Sequence, residues 1–347
     1  MNEVLNMIDD LKKVKQKLVS GDTAGAIKLI DESVAYKEKE VKDFVNFLES
    51  ELSKVEPINK RNHIEVRQEQ EEGVGRFPAP IISKNATERT INSPNGPISM
   101  RIFVPKGDIR GIYYHIHGGG WVLGTAHHQD PILEEISNQC GVVVASVDYR
   151  LAPEHPYPAP NEDCENAGLW VLEDLTKEFN TNKVLIGGES AGAHLAVTTI
   201  LRLRDKHGYK GFVGANLLYG VYDLSGSPSA YLWGDRHLIL STPIMEWFTD
   251  HYVGKGDIRR EPDVSPLYAN LNDMPRAFFT VGTQDPLHDD TVFMYNRWHA
   301  AGNDARRKGS SVEIYEGATH GFERQPTQLA EASLARIRNF ISDCLSD

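Results

Sequence analysis

The run Gly187-Gly188-Glu189-Ser190-Ala191-Gly192 follows directly on the apolar triplet Val184-Leu185-Ile186 and precedes a helical pattern from Ala191 to about Arg204. A glycine-x-serine-x-glycine pattern so placed admits few folds. It demands a strand that ends in a sharp turn and a helix that begins at once. Small flanking residues let the chain bend that tightly, and the turn lifts one hydroxyl clear of the backbone. The N–H groups at the start of the helix then face the serine, where negative charge can develop. A chain of this length carries the bare pattern by chance about one time in ten, so its weight comes from its surroundings.

From residue 111 onward, apolar strands and helical patterns alternate, which predicts a mostly parallel sheet covered on both faces. An early strand, Gly111-Ile112-Tyr113-Tyr114-His115-Ile116, runs into His117-Gly118-Gly119-Gly120-Trp121, and a second apolar strand covers Val142 to Val147. Three consecutive glycines stabilise neither strand nor helix. They suit a loop whose backbone N–H groups must approach a ligand, the form an oxyanion hole takes in lipases and esterases. The plain alternative is a flexible glycine turn.

A serine nucleophile needs a base and an acid, expected after it in the order Ser, Asp or Glu, His. The strand Ala277 to Val281 leads into Gly282-Thr283-Gln284-Asp285-Pro286-Leu287, which puts Asp285 at a carboxyl-terminal strand edge, where open α/β sheets build their sites. Asp289 is its rival. Three histidines follow Asp285. His288 is only three residues away, and His299 falls in a helical pattern around Phe293 to Ala301. His320 lies in the glycine-containing loop after the strand Val312 to Tyr315, which suits a base that must reach another strand.

Taken together, His117 to Trp121, Asp148-Tyr149-Arg150-Leu151-Ala152-Pro153-Glu154, the turn at Ser190, Asp285-Pro286-Leu287 and His320-Gly321-Phe322 match one pattern. Over about residues 85–345 the chain resembles the bacterial hormone-sensitive-lipase-like (family IV) carboxylesterases of the α/β-hydrolase superfamily. The resemblance implies a triad of Ser190, Asp285 and His320. It also implies an oxyanion hole of the backbone N–H groups of Gly119, Gly120 and Ala191. Trp121 is expected to line the substrate pocket, with a core aromatic beneath the loop as the alternative. Two departures stand out. Glu189 occupies a position where the family usually has Asp or Thr, and Ala193-His194 stands where Gly-Asn is common; His194 is expected to pack or cap.

The chemistry expected is hydrolysis of a small-molecule ester, with short to medium acyl chains, through an acyl-enzyme. Amidase, formamidase or lactonase activity on the same triad is the first alternative. A non-catalytic small-molecule receptor on this fold is the second, disfavoured by the presence of His320. No cofactor is expected, and no ligand cluster for a metal is visible in the sequence.

Composition fits this reading. An apolar fraction of 40% supports a large core, and a net charge of −12 argues against nucleic acid and anionic membrane surfaces. The sparse cysteines Cys140, Cys164 and Cys344 form no metal or redox spacing and suit a reducing, cytoplasmic setting. There is no secretory pattern at the start and no apolar run of membrane-spanning length.

Outside the core, residues 1–57 are expected to form two cap helices. Val4, Ile8, Leu11 and Leu18 share one face of the first; Ile27, Ile30, Val34, Val41, Phe44, Leu48 and Leu52 mark the second. Residues 58–84 read as a mobile polar connection, and 85–347 as the catalytic core. Within it, about 223–262 breaks the strand–helix alternation with large aromatics, as a cap insertion would. The N-terminal helices could instead be the contact of a homodimer.

Overall fold

The computed structural model describes residues 13, 16–17, 23–302 and 309–346. Its centre is an eight-stranded sheet in the order β1-β2-β4-β3-β5-β6-β7-β8. The strands are β1 (Thr87–Ser93), β2 (Gly96–Phe103), β3 (Gly111–Ile116), β4 (Val142–Asp148), β5 (Val184–Glu189), β6 (Gly214–Leu218), β7 (Ala277–Gln284) and β8 (Ser311–Thr319). A hairpin makes β1 and β2 antiparallel, β2 pairs antiparallel with β4, and the pairings from β4 to β8 are parallel. The expected α/β-hydrolase architecture is therefore present.

The interior strands β3, β5 and β6 are buried at every position, because helices cover both sheet faces. That is why they read as largely apolar runs, broken by His115, Glu189 and Asn216, and not as alternating ones. Each fully buried Val, Leu or Ile contributes about 1.5–3 kcal/mol. The edge strand β1 exposes most of its residues.

The helices that matter for the site are α1 (Thr23–Leu52), α2 (His63–Glu72), α3 (Asp130–Cys140), α4 (Ala159–Trp170), α5 (Ala191–His207), α6 (Pro228–Leu232), α7 (Thr242–Val253), α8 (His288–Ala300) and α9 (Gln328–Ser346). The second expected N-terminal helix is α1. Val4, Ile8, Leu11 and Leu18 lie outside the described residues. The later half of α1 buries Val41 and Val45 against Leu238, and Glu49 pairs with Arg236 at 2.9 Å.

Residues 58–84 are more ordered than a mobile connection. They contain α2, capped by Asn62, whose side chain accepts from the Ile64 N–H, and ended by left-handed Gly73. Apolar periodicity could not reveal this helix, since Val66 is its one buried residue. Ion pairs hold it instead. Arg61 forms two hydrogen bonds to Glu69, at 2.6 and 2.7 Å. Arg67 donates to the Val122 and Ala152 carbonyls and to both oxygens of Glu154.

The excursion predicted at 223–262 is wider: the chain leaves the sheet after Leu218 and returns at Ala277. Its large apolar residues divide. Ile244 and Tyr252 of α7 are fully buried, whereas Tyr231 and Leu232 are 72% and 77% exposed. No helix among the described residues is long and apolar enough to cross a membrane.

Candidate active site

The turn at Ser190 is where β5 becomes α5. Ser190 has φ 56° and ψ −121°, a left-handed conformation that costs a non-glycine residue about 1–3 kcal/mol. The fold holds it there: its N–H donates to Leu218 O at 2.9 Å, and its carbonyl accepts from the His194 N–H. The need for small neighbours is steric. A Cβ on Gly192 would sit 2.0 Å from Ile116 O, and one on Gly188 2.2 Å from the same atom.

Asp285 follows β7 and His320 follows β8, so both reach the carboxyl edge of the sheet beside Ser190. His320 Nε2 lies 2.9 Å from Ser190 Oγ, and His320 Nδ1 lies 2.8 Å from Asp285 Oδ2. The remaining Asp285 oxygen, Oδ1, accepts from the Leu287 N–H at 2.9 Å. Its carboxylate is wholly buried. Tyr219, itself at φ 36°, lays its ring edge-on to His320 with centroids 4.7 Å apart. The rival carboxylate is engaged elsewhere: Asp289 accepts from the Ser229 N–H in α6 and contacts His288. His299 sits on α8, near Tyr295.

Gly119, Gly120 and Ala191 line the same cavity as Ser190 and His320. Among the described residues, no hydrogen bond uses their N–H groups, which leaves these donors available. Gly119 at φ 114° and Gly120 at φ 60° adopt conformations that disfavour side chains. A Cβ on Gly120 would strike the Phe248 ring at 2.2 Å, so α7 lies directly against the glycine loop.

The loop is fixed by groups to which the sequence reading attached no role. Glu189 is buried and accepts from the Gly118 N–H, Gln129 Nε2 and His115 Nε2, at 2.8, 2.7 and 2.9 Å. Burial pushes its carboxyl up, but its contacts with His115 and the Gly118 N–H outweigh burial and hold it below the usual range. Tyr149 OH donates to His117 O and its ring stacks on His117. Asp148 accepts from the Ala126 N–H, and Arg150 makes a two-pronged pair with Asp163. The Asp148–Glu154 stretch therefore braces the loop and, through Glu154, α2.

Trp121 lines the cavity but is only 2% exposed. Its indole stacks on Tyr252 at 4.4 Å and donates to His194 Nδ1. That makes it a buried wall element, close to the core alternative. His194 packs, as expected: its Nε2 donates to Val264 O, and burial pushes the imidazole down to about 4.

The cavity holds about 820 Å³. Its apolar lining comes from three parts of the chain: Phe44 and Leu48 of α1, Phe77 to Ile81 of the segment after α2, and Ile239, Leu240, Met245 and Phe248 around α7.

Residues 113–324 match the family profile described as alpha/beta hydrolase fold. A hormone-sensitive lipase from a metagenome library superposes with a TM-score of 0.75 at 25% identity, covering 88% of this chain and 98% of that one. The chain belongs to the α/β-hydrolase family, in its hormone-sensitive-lipase-like carboxylesterase branch. This α/β-hydrolase is 34% identical over 277 residues to the carboxylic ester hydrolase LipN of Mycobacterium tuberculosis, covering 77% of this chain and 71% of the relative. It is also similar to a hyperthermophilic esterase from the archaeon Pyrobaculum calidifontis, with a TM-score of 0.77 and 28% identity over 86% of this chain and 97% of that one.

Proposed function

We propose that this carboxylic ester hydrolase uses Ser190 as nucleophile, His320 as general base and Asp285 as the group that orients the base and stabilises the imidazolium it becomes. The observation that carries the reading is the chain of 2.9 and 2.8 Å contacts from Ser190 Oγ through the His320 ring to Asp285. His320 takes the serine proton as Oγ attacks the ester carbonyl, then gives it to the departing alcohol. Gly119, Gly120 and Ala191 donate to the tetrahedral oxyanion; such donors are each worth about 2.7–4 kcal/mol in known cases. Water, deprotonated by His320, then attacks the acyl-enzyme and releases the acid. Asp285 holds the tautomer in which Nδ1 carries the proton and Nε2 is free to accept one.

The substrate class follows from the walls. A largely apolar cavity of about 820 Å³ suits short and medium acyl chains. We assign α1 and the 219–276 excursion to a cap over the catalytic core, since residues of both line the cavity that holds Ser190. Burial of Val41 and Val45 on Leu238 of the same chain favours a cap over a dimerisation hairpin. Three buried cysteines that form no disulfide with one another support a cytoplasmic setting.

The test is a graded series of nitrophenyl esters beside matching anilides and lactones, with Ser190→Ala as control. Esters should be turned over best, peaking at short to medium chains. Ser190→Ala should lower kcat by about 10⁵–10⁶ with an unchanged circular dichroism spectrum. A variant that retains a tenth of wild-type activity would remove Ser190 from the mechanism.

A further inference from the structure

A second cluster of chemistry-bearing side chains lies at the cavity rim, apart from the triad. Glu71, near the end of α2, meets His127 and His128 of the turn that follows the glycine loop. His127 Nε2 is 2.9 Å from Glu71 Oε2, and His128 Nε2 is 2.9 Å from Glu71 Oε1. One potential donor atom from each of the three residues lies within 4.8 Å of the others. No sequence spacing advertises this group, because Glu71 and His127 are 56 positions apart.

Hydrogen bonding leaves His128 unexplained. Its side chain is 94% buried (6% exposed), yet neither ring nitrogen has an aligned hydrogen-bond partner among the described residues. Leaving a buried polar atom unpartnered costs about 1–3 kcal/mol. Neutral imidazole and ionised carboxylate are the forms that bind metals. His127 keeps its Nδ1 at 2.9 Å from Thr125 Oγ1, the kind of outer hydrogen bond that orients a ligating imidazole.

We propose that Glu71, His127 and His128 bind a divalent transition-metal ion of the zinc class. Two imidazoles and one carboxylate form a three-ligand set that suits Zn²⁺, with water completing a tetrahedron. At metal–ligand distances of about 2.0–2.1 Å, tetrahedral donors stand about 3.3 Å apart, so a 2.9 Å histidine–carboxylate contact opens by a few tenths of an ångström while the other donor separations, all within 4.8 Å, adjust to match. Glu71 is 45% exposed, which leaves a route for the ion from solvent.

The ion would fasten α2 to the rim loop. One residue before Glu71, Gln70 Oε1 accepts from the Gly124 N–H. One residue after His128, Gln129 donates to Glu189, the neighbour of Ser190. The clip therefore tightens the cavity mouth without entering the reaction, and it stands whether or not the substrate reading holds.

The full-length protein, freed of metal with chelator, is titrated with Zn²⁺ by calorimetry and with Co²⁺ by visible absorption. One equivalent should bind, Co²⁺ should give the absorption of a tetrahedral nitrogen–oxygen site, and Zn²⁺ at ~100-fold excess over Kd should raise Tm by a few degrees. Glu71→Gln and His127→Gln, both at accessible positions, should each weaken Zn²⁺ binding at least ~10-fold while the metal-free Tm stays near wild type. Failure of the wild type to bind, or binding unchanged in both variants, overturns the proposal. The first result would make the cluster a hydrogen-bonded trio; the second would send the metal to other histidines.

Discussion

At the residue scale, two aspartates on neighbouring turns have opposite fates. Asp285 is sealed against His320 and the Leu287 N–H. Asp289 instead ties α8 to the start of α6 through Ser229. Asp285→Asn should therefore lower kcat by about 10⁴, as loss of the orienting carboxylate does in a serine protease. Asp289→Asn should leave kcat within about tenfold and cost about 1–3 kcal/mol of stability through its hydrogen bond. Steady-state kinetics on a short nitrophenyl ester, with urea unfolding of both variants, measures the contrast. A larger kcat loss in Asp289→Asn would reverse the assignment. Glu189 belongs to this scale as well. It is not in line with the reacting atoms, yet it holds Gly118 and Gln129 in place around them.

At the scale of elements, α1, α2 and the excursion between β6 and β7 act on the site from outside the sheet. Phe44 and Leu48 of α1 share the cavity wall with Phe248 and Leu240. Removing residues 1–56 takes away that wall and uncovers Leu238, which is fully buried beneath Val41 and Val45. Newly exposed apolar surface promotes association. The truncated protein should be less soluble, and its preference should shift toward longer acyl chains because the cavity is open on one side. The ratio of kcat/KM for acetyl and octanoyl esters reads this directly. An unchanged ratio in a monomeric truncated protein would mean that α1 is an appendage and not a cap.

At the scale of the whole molecule, stability should carry an unusual pH signature. Burial pushes Glu323 up to about 8, with the Asp285 charge adding to it, and burial pushes Asp290 up to about 7. Both carboxyls thus stay protonated in the folded chain at pH values where the unfolded chain has lost those protons. Between about pH 4.5 and 8 the folded state holds more protons at these sites, so stability falls as pH rises through that window. Glu323→Gln removes one such site and keeps its shape. Wild-type Tm should therefore drop relative to the variant as pH rises from about 4.5 to about 8, and the gap should level off above that. Thermal melts across this range measure it; a gap independent of pH would show that Glu323 does not titrate as burial dictates.

The sequence by itself determined the strand–turn–helix at Ser190 and the parallel core, and it marked Ser190, Asp285 or Asp289, and His320 as candidates at one sheet edge. These are legible because each depends on neighbours in the chain. Apolar runs mark buried strands, small residues mark a turn with no room for a Cβ, and Asp285 and His320 each follow a strand whose end must lie at the same sheet edge. Only the tertiary structure decided the rest. It gave Asp285 its place over Asp289, because that depends on which carboxylate faces β8. It made Trp121 a wall of the core through contacts with His194 and Tyr252, which lie 73 and 131 positions further on. It turned residues 63–72 into a helix, since ion pairs to Glu154 and distant carbonyls leave no apolar period to read. It also brought Glu71 to His127 and His128. Local patterns record which face of an element is buried; they carry no record of which polar groups meet when distant elements pack, and the braces of this site are made of such meetings.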